Sequence, residues 1–255
     1  MMMSESAIGR VHTGRVALVT GAARGIGQAI AVGLAQRGAA IVLADIGDLA
    51  ETSELISRIG SPATALTLDI SDPAAIDEAK ARVAAERGHV DILVNNAGLV
   101  EAVTWDELDL ERWQRVLSVN LTGTMLMCKA FLPLMRGRGW GRVINIASAT
   151  VASGSLVSIA YRSSKMGVIG LTRALSSTLG PDGITINAVL PSLTRTAMAE
   201  KIPESVAATS LARQAIHRMA EPDDIAGVVF MLAADEAGWV TGQSIMASGG
   251  HAFGL

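Results

Sequence analysis

Val16-Ala17-Leu18-Val19 runs straight into Thr20-Gly21-Ala22-Ala23-Arg24-Gly25-Ile26-Gly27, and soon after comes Ala29-Ile30-Ala31-Val32-Gly33-Leu34-Ala35. The first four residues are a short apolar run of the kind that forms a strand buried on both faces. The last seven have a helical pattern. Glycines at a strand-to-helix turn let the backbone approach a pyrophosphate, and the helix N-terminus adds free N–H groups and a positive dipole end. The spacing is Gly-x-x-x-Gly-x-Gly rather than Gly-x-Gly-x-x-Gly. Read alone, it is also compatible with a plain tight turn; the strand before it and the helix after it favour a nucleotide site.

A second apolar run, Ala40-Ile41-Val42-Leu43-Ala44, ends in Asp45, eighteen residues beyond Gly27. An acidic side chain there can bind the ribose hydroxyls of the adenosine half, and it repels the extra phosphate of NADP. Asp45 therefore argues for NAD. Arg24 is a counter-signal, because a guanidinium near that ribose can pair with a 2′-phosphate. Asp45 is given the greater weight.

The chain holds one tyrosine, Tyr161, with Lys165 four residues later. On a helix the two share a face, so the ammonium can sit near the phenol. An unperturbed phenol is only about 0.1% ionised at neutral pH, too little for an efficient general base. A nearby positive charge favours the phenolate. Alone, the pair also reads as an ordinary helix-surface contact.

With these motifs, the chain resembles the classical short-chain dehydrogenase/reductases from about Gly14 to Gly250. The resemblance also includes Asn95-Asn96-Ala97-Gly98 after a strand at 91–94, Asn120 in Leu117-Ser118-Val119-Asn120, and Ser148 after a strand at 142–147. Ser148 stands thirteen residues before Tyr161. The resemblance implies that Tyr161 is the general acid/base and that Ser148 holds the substrate oxygen. Lys165 would lower the tyrosine pKa and bind the nicotinamide ribose, and Asn120 would order a water linking Lys165 to solvent. Without the family, Ser148 is a strand-end serine and Asn120 a helix-interior asparagine, costly in a core unless its amide is satisfied.

Cofactor contacts are expected from Gly21, Arg24, Gly25, Ile26 and Gly27, from Asp45, and from Asp69 and Ile70 after a third strand (Ala65-Leu66-Thr67-Leu68). Asn95, Ala97 and Gly98, Tyr161 and Lys165, and Pro191, Thr194 and Thr196 complete that set. For Asn95 the alternative is that Asn95-Asn96 forms a turn and braces the sheet. Two departures from the family pattern stand out. Ser192 follows Pro191 where glycine is usual, which restricts the backbone, and Ala247-Ser248-Gly249-Gly250 replaces Val-Asp-Gly-Gly.

The substrate would meet Ser148, Thr150, Leu156, Tyr161, Leu99 and Met198, joined by Val100, Val151, Val157 and Ile202. This lining is mostly aliphatic, so a small or medium hydrophobic alcohol or ketone is expected. Glu101 is expected to face solvent rather than a polar substrate group.

The expected fold is α/β: a single-domain, doubly wound parallel sheet of about seven strands flanked by helices. Residues 1–13 read as a flexible tail, 14–255 as one domain, and 195–218, the least regular part, as the substrate lid. The chain is 50% hydrophobic with mean hydropathy +0.40, as strands covered on both faces require. No apolar stretch reaches the roughly 20 uninterrupted residues of a membrane span. A single cysteine, Cys128, and the absence of a signal sequence argue for the cytoplasm. A net charge of −3 without a basic run argues against nucleic acid. The four histidines are scattered, so no catalytic metal is expected. The family resemblance implies a homotetramer, with axes through the helices carrying Asn120 and Tyr161 and through the region 239–255.

These features point to an NAD-dependent oxidoreductase acting on a secondary alcohol or ketone. Alternatives are an NADP-dependent 3-oxoacyl reductase and a non-catalytic dinucleotide-binding regulator. The proton-relay residues speak against the regulator.

Overall fold

The structure, a computed structural model, describes residues 9–152, 159–199 and 204–253. Strands β1 (Val16–Thr20), β2 (Ala40–Asp45), β3 (Ala63–Thr67), β4 (Ile92–Asn95), β5 (Gly141–Ile146), β6 (Ile184–Pro191) and β7 (Ser244–Ala247) form one sheet in the order β3-β2-β1-β4-β5-β6-β7. Every neighbouring pair is parallel. The expected doubly wound sheet is therefore observed.

Central strands are buried along their whole length, which accounts for their continuous apolar runs. β3, at one edge, alternates buried and exposed residues and begins earlier than the apolar run at 65–68 predicts.

The helices are α1 (Gly25–Gln36), α2 (Ala50–Ile59), α3 (Pro73–Arg87), α4 (Leu110–Leu117), α5 (Thr124–Phe131), α6 (Ile159–Leu179), α7 (Glu204–Ala212) and α8 (Pro222–Ala233). One apolar core joins the sheet to α1 and α8, with Ile56 of α2; a second joins it to α3 and α5. α3 shows how local chemistry sets an element. Asp72 accepts from Ala74 N–H at 2.9 Å, Pro73 stands in the first turn, and Gly88 ends the helix.

Three expectations change. Residues 11–14 form a turn docked on the domain, with His12 fully buried and its N–H donated to Arg37 O at 2.8 Å, so the expected tail does not extend to residue 13. The 195–218 segment contains the nine-residue helix α7. Finally, the run Leu110–Leu134 is long and apolar enough, by length and composition, to cross a membrane, yet half of its most apolar window is buried within the domain.

Candidate active site

The site is built at the carboxyl ends of the strands. Gly21 and Gly25 have φ of 65° and 59°, the left-handed region that glycine enters freely. At Gly27 a Cβ would lie 2.0 Å from Gly21 O, so no larger residue fits that crossing. No side chain caps α1 and no acidic residue stands in its first turn. Its N–H groups and positive end are thus available to an anion, and the turn suits a dinucleotide pyrophosphate. Asp45 sits at its edge: Oδ2 accepts from Ala23 N–H at 3.0 Å and Oδ1 from Gly47 N–H at 2.8 Å. Arg24 is exposed, and Ile26 packs on the α1 core. A Cβ on Gly25 would stand 3.1 Å from Thr196 Cγ2, which brings Thr196 next to the turn.

Four residues expected to act on substrate come together across three elements. Ser148 lies just past β5 and Tyr161 in the first turn of α6, and the two side chains are hydrogen-bonded. Ser148 Oγ also lies 2.9 Å from Thr150 Oγ1. Lys165 is buried, donates to Ile146 O at 2.8 Å, and stands 5.8 Å from the centre of the Tyr161 ring. Burial pushes the lysine pKa down to about 8. Burial also pushes the Tyr161 phenol above its ordinary value, with the Ser148 hydrogen bond acting in the opposite sense. This corrects the expectation of a phenol drawn down toward neutral pH: burial is the largest influence on it, and the Ser148 hydrogen bond only partly opposes it.

Asn120 occupies a π-helical stretch, Ser118–Gly123, between α4 and α5. Gly123 lies so close to Ile70 that a Cβ there would stand 2.8 Å from Ile70 O. The buried amide of Asn120 is satisfied on both sides: Oδ1 accepts from Leu99 N–H at 2.8 Å, and Nδ2 donates to Leu99 O at 2.9 Å and Ser164 Oγ at 3.0 Å. That offsets the cost of an asparagine in a core.

The remaining expected contacts divide. Asn95 donates to Asn145 Oδ1 at 2.8 Å and Cys128 Sγ at 3.4 Å inside the sheet, the bracing contact the alternative reading described. Ile70 is buried against Gly123, while Asp69 is exposed and holds Ser71 N–H at 2.8 Å. Pro191 ends β6; Thr194 is buried and bridges to Ala220. Ser192 causes no strain, since among the described residues only glycines have positive φ. Leu99 and Val100 are half-buried, Met198 is exposed, and Leu156, Val157 and Ile202 lie outside the described residues. Glu101 pairs with Arg115 at 3.4 Å.

Two residues escaped the sequence reading. Asn96, rather than Asn95, ties the glycine turn in place, donating to Thr20 O at 3.0 Å and Gly21 O at 3.1 Å. Beside it, Ala97 N–H donates to Thr20 Oγ1 at 3.0 Å. Ser164 donates to Tyr161 O at 2.7 Å and accepts from Asn120, joining the two helices. Strand alternation past β4 was the signal for Asn96, and the three-residue spacing to Tyr161 was the signal for Ser164.

Comparison with known proteins agrees with this geometry. A family model described as Enoyl-(Acyl carrier protein) reductase matches residues 21–252. The chain is 39% identical to a cis-4-hydroxycyclohexanecarboxylate dehydrogenase of Sinomonas cyclohexanicum, covering 96% of this chain and 99% of that protein. It is 38% identical to an acetoacetyl-CoA reductase of Rhizobium meliloti, covering 94% and 99%. A crystal structure of a 3-oxoacyl-[acyl-carrier protein] reductase with bound NAD from Brucella melitensis superposes with a TM-score of 0.89 at 32% identity, covering 98% and 96%.

Proposed function

The chain belongs to the short-chain dehydrogenase/reductase family and is an oxidoreductase; on that premise we propose that it interconverts a secondary alcohol and a ketone using NAD. The observation that carries this reading is the hydrogen-bonded Ser148–Tyr161 pair with Lys165 buried beside it. Bound NAD supplies or accepts the hydride. Tyr161 gives its hydroxyl proton to the carbonyl oxygen, or takes it back in the other direction. Ser148 donates to the same oxygen and holds it at the phenol. Lys165 would pass protons between Tyr161 and a water ordered by Asn120, from solvent to Tyr161 in reduction and the reverse in oxidation. The raised phenol pKa favours the protonated tyrosine near neutral pH, the form that ketone reduction needs.

NAD rather than NADP is supported by Asp45, whose carboxylate stands at the edge of the glycine turn. Gly21, Gly25, Ile26 and Gly27 would receive the pyrophosphate. Thr194 and Thr196 would line the nicotinamide end, with Gly98 beside Lys165. A hydrophobic substrate is supported by the half-buried Leu99 and Val100, and a cyclic one by the Sinomonas relative. Glu101, paired with Arg115, is left out of that pocket.

A second reading, an NADP-dependent 3-oxoacyl reductase, is favoured by the exposed Arg24 at the turn and by the acetoacetyl-CoA and 3-oxoacyl reductases among the similar proteins. A single buried cysteine suits a cytoplasmic enzyme. The exposed apolar residues of α5 and α6 suit a homotetramer. A spectrophotometric screen of NADH and NADPH against a panel of ketones and alcohols tests the assignment. Turnover of an apolar ketone with NADH is expected. Turnover with neither cofactor, or with NADPH and 3-oxoacyl thioesters alone, contradicts it.

A further inference from the structure

Two sequence features lie outside the catalytic set: Ser192, where the resemblance implies glycine, and Ser248, where it implies aspartate. They meet at one seam. Ser192 N–H donates to Ala247 O at 3.2 Å, joining the ends of β6 and β7. Ser248 is buried and donates its hydroxyl to Ala252 O at 3.1 Å, folding the following residues back. Gly249 and Gly250, with φ of 58° and 82°, then turn against the segment after α7. Ile216 N–H donates to Gly249 O at 2.9 Å, and His251 Nδ1 lies 3.3 Å from Ser210 O.

Gln214 is the centre of this seam. Residues 212–218 are exposed apart from Gln214, which is 3% exposed. In the amide orientation that satisfies its neighbours, it donates to Arg218 O at 2.9 Å and Ile216 O at 3.1 Å, and accepts from Ser192 Oγ at 3.1 Å. A buried amide is costly unless bonded, and this one has partners on both sides. Glycine at 192 would supply no such partner.

The geometry points to Gln214 and Ser192 as a positioning pair that pins the segment after α7 to the loop after β6, and so sets the wall that residues 207–218 present to substrate. The kinetic consequence rests on the alcohol–ketone reading above; the pinning itself does not. Neither residue touches the reacting atoms, so the pair should act on substrate KM more than on kcat.

The test uses the full chain with Ser192→Gly, Gln214→Ala and the two combined, read by amide hydrogen exchange over residues 207–218 and by steady-state kinetics. Exchange should speed by roughly 3- to 10-fold in Ser192→Gly, as for loss of one buried hydrogen bond, and at least as much in Gln214→Ala, which also loses the bonds to Arg218 O and Ile216 O. The double variant should be no faster than the faster single one, because both remove the same contact. KM for a ketone should rise by a similar factor while kcat stays within about twofold. Ser192→Thr, which keeps the hydroxyl, should behave as wild type. Unchanged exchange in Ser192→Gly, or effects that multiply in the double variant, overturns the pairing. If Gln214→Ala does not fold, Ser192→Gly and Ser192→Thr decide alone. A chain that turns over no ketone or alcohol sinks the proposed function and leaves the exchange result to judge the pin.

Discussion

Asn120 grips Leu99 by both of its backbone polar groups, accepting from the N–H at 2.8 Å and donating to the carbonyl at 2.9 Å. The segment after Gly98 is thereby locked to the helical layer. Gly98, one residue earlier, makes that lock possible. A Cβ there would stand 3.1 Å from Asn120 Oδ1 and 3.3 Å from Lys165 Nζ. Gly98→Ala should therefore displace either the amide or the ammonium. A fall in kcat of roughly 3- to 10-fold is expected, because the neighbour must give by only a few tenths of an ångström, and a misplacement of about 1 Å at a reacting centre can cost about 100-fold. Steady-state kinetics check it, and a kcat within about twofold of wild type would show that the crowding is harmless.

The buried lysine makes stability depend on pH. Lys165 is held down to about 8 from an ordinary 10.5. The unfolded chain binds that proton more tightly, so this residue's contribution to stability rises between about pH 8 and 10.5, and its burial cost is fully present below pH 8. Lys165→Met removes the cost. The variant should be more stable than wild type at pH 7, by at most on the order of 3 kcal/mol. The lost hydrogen bond to Ile146 O takes back about 1 kcal/mol of that. The gap should close by pH 10.5. Cys128, pushed up to about 12, lowers stability as pH rises above 9 in both proteins and cancels in the comparison. Urea unfolding at pH 7, 9 and 10.5 checks this; a gap that does not shrink contradicts it.

The proposed preference for NAD rests on Asp45. Asp45→Ala should lower the preference for NAD over NADP by roughly tenfold or more, because the carboxylate is gone while Arg24 remains. Asp45→Asn, which keeps one acceptor for the Ala23 or Gly47 N–H, separates loss of charge from loosening of the turn. Ratios of kcat/KM for the two cofactors check it. A wild-type preference for NADP by about tenfold would reverse the weight given to Asp45 over Arg24.

Much of this arrangement was legible in the sequence because it is local. The Thr20–Gly27 turn, the apolar strands and the Tyr161–Lys165 spacing each follow from residues near one another in the chain. What escaped depends on distant neighbours. Asn95 and Asn96 are adjacent and chemically identical, and only the direction of β4 decides which faces inward. The π-helical turn at Asn120 sits where Gly123 meets Ile70, some fifty residues away in sequence. α7 is made of small residues without a clear apolar stripe, so its helix was hidden in an apparent loop. The rise of the phenol pKa comes from burial, which no four-residue spacing reveals.

The proposed homotetramer rests on what α5 and α6 leave uncovered. Met125 and Met166 are 37% and 44% exposed, and a Cβ on Gly170 would meet nothing within 4 Å. Trp239 and Phe253 are almost fully exposed near the C-terminal end. Such apolar surface favours association. Light scattering should report a tetramer at micromolar concentration, and Gly170→Arg should split it into smaller species. A stable wild-type monomer contradicts the homotetramer.

The central claim is that Tyr161 moves the proton. Tyr161→Phe removes one oxygen atom and leaves the ring, the fold and Lys165 in place. Turnover of the best ketone by this variant, measured beside NADH binding by fluorescence titration, is the most direct test. The account predicts that kcat falls to well under roughly a tenth of wild type while NADH affinity stays within a few-fold. A variant that keeps more than about a tenth of wild-type kcat would show that the proton travels by another route.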